Sequence, residues 1–126
     1  MWNNWVAAKS EEAACADVSR EERRLDIGAV QHQAWDNKLA KGFNVDDVAL
    51  EFGLLTAEVG EAFTAWRKRL PDFGEELADV LIYLAGLAEM TGIDLGGEVE
   101  RKLAKNAART YETRHDGVLR RVDDSG

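Results

Sequence analysis

Residues 46–70 read DDVALEFGLLTAEVGEAFTAWRKRL. Val48, Phe52, Leu55, Val59, Phe63 and Trp66 follow one another at steps of four, three, four, four and three, which puts all six on one stripe of an α-helix. The spacing predicts a helix from about Asp46 to about Leu70. Pro71 ends it, because proline lacks the N–H that the next turn would need. Asp72-Phe73-Gly74-Glu75 then has the pattern of an acidic N-cap with Glu three residues on, a capping box. A helix over 73–91 is expected, stopped by Gly92. Its second half, residues 80–88, is apolar nearly all round, as in a helix enclosed by other helices.

Working outward, residues 25–39 form a candidate helix carrying Ile27, Val30, Ala34 and Trp35. Lys41-Gly42 suits its end, where glycine takes the left-handed cap. Asp94 can cap a further helix over 94–111, with Leu95, Val99 and Leu103 facing inward. No segment reads as a convincing strand. Four helices joined by short connections favour antiparallel neighbours, so the expected fold is all-α, a four-helix antiparallel bundle. At this size self-association would bury more surface, and symmetric homo-oligomers are the usual outcome. Residues 1–22 read as an N-terminal extension (helix or arm), 23–111 as the helical domain and 112–126 as a polar tail.

The chain has 126 residues, which suits one domain. Its 24 acidic and 16 basic side chains give a net charge of −8, which argues against binding a nucleic-acid polymer through its phosphates. The lone Cys15 excludes an internal disulfide and a multi-cysteine metal site. The longest apolar run is far short of the ~20 residues a membrane span needs. The start of the chain has no basic segment followed by an apolar run, so the expected location is the cytoplasm.

The acidic residues are arranged. Glu58 and Glu61 are three apart, as are Glu76 and Asp79, so each pair projects from one edge of its helix, one turn apart. Asp79 enters an otherwise apolar helix, where an ionised carboxylate must be paired or metal-bound. If the two helices lie side by side, four carboxylates converge and either raise their pKa values or demand a cation. Such hard oxygen ligands suit Mg²⁺, with Mn²⁺ also possible. A metal-activated water would need a base, for which Glu58 or Glu61 is the candidate. Lys102, Asn106 and Arg109 share a face of the last helix and offer cations and an amide to a polyphosphate. Taken singly each of these motifs is more often a solvated face than a site; their coincidence is specific.

At Thr56–Ala62, Gly74–Leu84 and Lys102–Arg109 the sequence resembles the all-α nucleoside triphosphate pyrophosphohydrolases, the MazG-like and dCTP-pyrophosphatase-like group. The resemblance covers about residues 25–111. It implies hydrolysis of a (deoxy)nucleoside triphosphate between the α- and β-phosphates, in nucleotide-pool house-cleaning, with Mg²⁺ held by Glu58, Glu61, Glu76 and Asp79. It also implies assembly as a homodimer or homotetramer. Lys102, Asn106 and Arg109 match positions that handle phosphates and sugar. Trp35 and Trp66 sit where relatives often place aromatics near the base, and Tyr83 is a weaker match of the same kind. Two alternatives stand beside this reading: a non-catalytic helical interaction module, and a phosphoribosyl-ATP pyrophosphohydrolase-like enzyme. His32, three residues before Trp35, has two readings, reaching a base or, more commonly, exposed or capping; Cys15 reads as inert, and Trp2 and Trp5 as cover for a core edge or subunit contact.

Overall fold

The structure, a computed structural model, describes residues 25–122. The expectations for 1–22, with Trp2, Trp5 and Cys15, lie outside the described residues. Helices α1 (Ile27–Lys41), α2 (Val48–Lys68), α3 (Phe73–Met90) and α4 (Leu95–Ala108) precede two strands, β1 (Thr110–Thr113) and β2 (Leu119–Val122).

The helix ends follow local chemistry. Asp26, Asp47 and Asp94 cap α1, α2 and α4, their carboxylates accepting from the N–H groups of Ala29, Leu50 and Gly97. Gly42 ends α1 in the left-handed conformation, at φ 71°. Two details differ from expectation. The helix α2 stops at Lys68, before Pro71, because Arg69 itself adopts the left-handed cap at φ 56°. Asp72 occupies the N-cap position of α3, but its backbone has ψ near 6° and its side chain makes no capping bond, so the capping box is not formed.

The packed unit is α1, α2 and α3, with α3 in the middle touching both others. Its core is made mostly of small side chains: Ala34 from α1, Ala62 and Ala65 from α2, and Ala85 and Ala88 from α3, with Leu87 the one larger apolar residue buried among those described. Small residues let the helices approach closely, which brings polar groups into the interior as well: Gln31, Lys38 and Glu51 are buried. Gln31 ties α1 to the turn after α3. Its amide donates to Glu89 (2.8 Å) and to the carbonyl of Ile93 (2.7 Å), and its oxygen accepts from the N–H of Leu95. That clamp sets the departure of α4, which bends away from α3 by 108°, rests on α1 and contributes no buried residue.

Two readings of the sequence are corrected. The six-residue stripe of α2 is not a core stripe in this chain: Phe52, Val59 and Phe63 are each at least half exposed, and Trp66 stacks on Phe63 at the surface, ring centroids 6.0 Å apart. The apolar run of α3 is enclosed only over Ala85–Ala88, and Leu81, Ile82 and Leu84 face outward. Periodicity reports that this face is apolar; among the described residues nothing encloses it.

The second correction concerns residues 110–122, read as a helix end and a polar tail. They form an antiparallel hairpin pairing Thr110 with Val122 and Thr113 with Leu119. Its tip is an Asp116-Gly117 turn: Gly117 takes φ 81°, and Asp116 accepts from the N–H of Val118. Asp-Gly between β-branched and aromatic residues was a hairpin signal present in the sequence. Among the described residues no single helix is long and apolar enough to cross a membrane.

Candidate metal centre and adjoining cavity

Glu58 and Glu61 stand one turn apart on α2, and α2 lies along α3. That packing carries Glu76 to them. One oxygen from each of Glu58, Glu61 and Glu76 lies within 4.8 Å of the other two. Glu58 is half-buried, and its Oε2 is buried without a hydrogen-bond partner. Lys38, which lines the adjoining cavity with Glu58, is committed elsewhere: it pairs with Glu51.

Crowding shows in the acid–base balance. Burial, then the charges of Glu61 and Asp79, a hydrogen bond with Glu61 and the charge of Glu76, push the Glu58 carboxyl above its ordinary value. Burial, then Glu61, Asp72, Asp79 and Glu75, do the same to Glu76. Asp72, freed from capping, therefore acts as a further negative charge at this centre, and its Oδ1 is buried and unpaired. The fold thus assembles like charges that water alone does not solvate well. Oxygen donors in this arrangement fit a divalent cation, for which the orphaned Oε2 of Glu58 and the three convergent carboxylates form a ready ligand set.

Asp79 lies just beyond the cluster. With Glu58 it lines a cavity of about 410 Å³ whose other walls are Ala34, Asn37, Lys38, Phe43, Asn44, Glu51, Leu54, Ile82 and Tyr83. Tyr83 is half-buried there. Burial and the charges of Glu58, Glu51, Asp79 and Glu61 raise its phenol above the usual range.

Other expected site residues are not at this cavity. Trp35 is half-buried on α1 and Trp66 is exposed on α2, and neither lines it. Lys102, Asn106 and Arg109 are on or just after α4, which turns away. The Arg109 guanidinium donates to the Asn106 side chain at 2.8 Å. Conversely, Asn37, Lys38, Phe43, Asn44 and Glu51 were not read as site residues. One signal was available: Glu51 is seven residues before Glu58 and so on the same face of α2.

No protein-family model matches the chain. Over 75 residues it is 33% identical to a dATP/dGTP diphosphohydrolase of Salmonella phage PMBT28, across 54% of this chain and 26% of that protein. Over 71 residues it is 35% identical to a dATP/dGTP diphosphohydrolase of Cyanophage S-2L, across 56% of this chain and 65% of that protein. The chain thus spans about a quarter of one curated relative and just under two thirds of the other. Among solved structures it matches the Cyanophage S-2L MazG-like pyrophosphohydrolase, bound to dGDP and three catalytic Mn²⁺ ions per active site. The TM-score is 0.60 at 24% identity, covering 79% of this chain and 99% of that one.

Fold and carboxylate cluster together define an all-α protein of the kind that gathers acidic side chains between two adjacent helices. More narrowly, its fold is like that of the Cyanophage S-2L MazG-like pyrophosphohydrolase.

Proposed function

We propose that the protein is a divalent-metal-dependent pyrophosphohydrolase that cleaves a deoxynucleoside triphosphate between the α- and β-phosphates, releasing the monophosphate and pyrophosphate. The names of its relatives favour purine deoxynucleotides as the substrate class. The observation that carries this reading is the convergence of Glu58, Glu61 and Glu76 beside a cavity that Asp79 also lines.

Glu58, Glu61, Glu76 and Asp79 would hold Mg²⁺ or Mn²⁺. When bound, the ions supply charge neutralisation at the phosphates and a water of lowered pKa. The protein's own part is positioning and proton transfer. Through the ions they would hold, the acidic pairs on α2 and α3 would anchor the triphosphate chain at the mouth of the cavity, with a water in line with the bond to be broken. Glu58 or Glu61, whichever keeps a free lone pair, accepts the proton of that water as its oxygen bonds to the α-phosphorus. The bond from the α-phosphorus to the bridging oxygen breaks and the electron pair leaves with pyrophosphate.

The same reading covers the exposed apolar face. Phe52, Val59, Phe63 and Trp66, with Leu81, amount to a bundle face without its second half. A second copy of this chain would cover it, and the assembly would bring Lys102, Asn106 and Arg109 to a phosphate site from which α4 is turned away in one chain.

The test is incubation of the full chain with a panel of triphosphates and Mg²⁺ or Mn²⁺, followed by product analysis. Pyrophosphate and monophosphate in equal amounts are expected. Orthophosphate with diphosphate, or no turnover with either metal, would overturn the reading.

A further inference from the structure

We infer that Asp72 is a fifth acidic ligand of the metal centre, and that with Glu76 it holds a further divalent cation beside the α2–α3 turn, at the other end of the cluster from the cavity. This rests on the metal-dependent reading above and adds to it a ligand and a place for a second ion.

The backbone puts Asp72 in line with the other acidic residues of α3. The N–H of Glu76 donates to the Asp72 carbonyl at 3.1 Å, the bond of a helical turn, so Asp72 stands one turn before Glu76. Asp72, Glu76, Asp79 and Tyr83 follow at steps of four, three and four and share one face. Side chains on a helix lean toward its N-terminus, so Glu76 leans back over the turn that carries Asp72.

What Asp72 does not do is equally informative. Asp26, Asp47 and Asp94 hold the same position on the other three helices, and each accepts from a backbone N–H three residues on. Asp72 makes no such bond, and its Oδ1 is buried without a partner. A buried carboxylate oxygen with no donor is costly, and beside other carboxylates a cation is the partner that offsets the cost. The cluster's other orphaned oxygen is Glu58 Oε2, on a residue that lines the cavity, as Asp72 does not. The two orphans mark two places for an ion.

One ion does not serve both ends. Asp72 and Asp79 are seven residues, about 10 Å, apart along the helix axis, and their short side chains lean the same way instead of toward each other. The charges divide accordingly. Glu76 is pushed up by burial, then by Glu61 and Asp72; Glu58 is pushed up by burial, then by Glu61 and Asp79. Glu61 is common to both groups. Glu58 and Asp79 belong to the cavity side, Glu76 and Asp72 to the turn side.

The test counts ions. Mn²⁺ titration of the full chain without nucleotide, read by the paramagnetic resonance of the free ion, should show more than one bound Mn²⁺ per chain. Asp72→Asn and Asp72→Ser keep a good N-cap side chain and remove the charge. Each should lose one bound ion or weaken one class of site by at least about tenfold, leaving the other class in place. Glu75→Gln is the control. Glu75 is exposed and its charge is also felt at Glu76, but it stands to the side of the shared face. Its titration should match the wild type, and circular dichroism should show equal helix in all four proteins. If Glu75→Gln weakens binding as much as Asp72→Asn, Asp72 acts through its charge alone and is not a ligand. If both Asp72 variants bind like the wild type, or if the wild type holds a single ion, the turn-side site is wrong while the metal-dependent reading stands. If no Mn²⁺ binds at all, that reading fails and this site with it.

Discussion

Gly86 on α3 lies directly against Lys38 on α1: a Cβ at Gly86 would stand 2.6 Å from Lys38 Cε and 3.8 Å from Glu51 Oε1. This glycine is required for closeness and not for its backbone angles. The Lys38 stem cannot simply move aside, because its ammonium is held by both Asn44 and Glu51. Gly86→Ala should therefore destabilise the chain by about 1–3 kcal/mol, the usual cost of overpacking a close contact. Urea unfolding checks this, and a neutral result would mean that the pair relaxes freely.

The Lys38–Glu51 pair is buried on both sides. Removing one partner strands a charge, so Lys38→Met and Glu51→Met should each cost about 3–5 kcal/mol. The double variant should recover most of that loss. A double-mutant cycle by denaturant titration measures the recovery. Additive losses would show that each side chain matters for its packing and not for its partner's charge.

How much of this was legible beforehand depends on what each feature is made of. The four helices were readable because the information is local, as were three of their ends: Asp94 precedes an apolar run, and Gly42 and Gly92 follow them. Glu58, Glu61 and Glu76 were legible because i, i+3 spacing fixes a shared edge and α2 and α3 are joined by a short turn. The Lys38–Glu51 pair was not, since it depends on the register between α1 and α2, which residue spacing within one helix does not encode. The exposed stripe is the instructive failure: periodicity reports which face is apolar and says nothing about whether the same chain covers it.

Without metal, Glu58 and Glu76 have folded-state pKa values above the ordinary carboxylate value of 4.5. A raised pKa means that the native state binds the proton more tightly than the unfolded chain. The stabilisation is complete below the unfolded pKa and is lost as pH rises through the folded one. Metal-free protein in a chelator should gain thermal stability as pH falls from neutral toward the carboxylate range, and Glu58→Gln should flatten that dependence. With Mg²⁺ or Mn²⁺ in excess the trend should reverse, since the ligands must be deprotonated to bind. Melting curves at several pH values, with chelator and with metal, decide it.

Glu61→Gln keeps the shape of the side chain and removes one of the crowded charges. In the absence of metal it should raise the melting temperature slightly by relieving repulsion on Glu58 and Glu76. It should also abolish the upward shift that Mn²⁺ produces in the wild type, because ligand stabilisation scales with affinity for the native state. A variant that melts lower than wild type and still responds fully to Mn²⁺ would show that Glu61 is a structural residue and not a ligand.

Phe63 stacks on Trp66 in the middle of the exposed face of α2, with Val59 one turn away. If a second copy covers this face, Phe63→Glu places a charge where the assembly has desolvated its surroundings, a burial no partner offsets. In one chain the same position is 58% exposed, so the substitution leaves the fold of the monomer nearly untouched. Light scattering should then report a multiple of 14.0 kDa for the wild type and a monomer for the variant, with unchanged helical circular dichroism. Should the wild type itself run as a monomer, the face needs another occupant, and activity that survives in Phe63→Glu monomers would show that one chain completes the site.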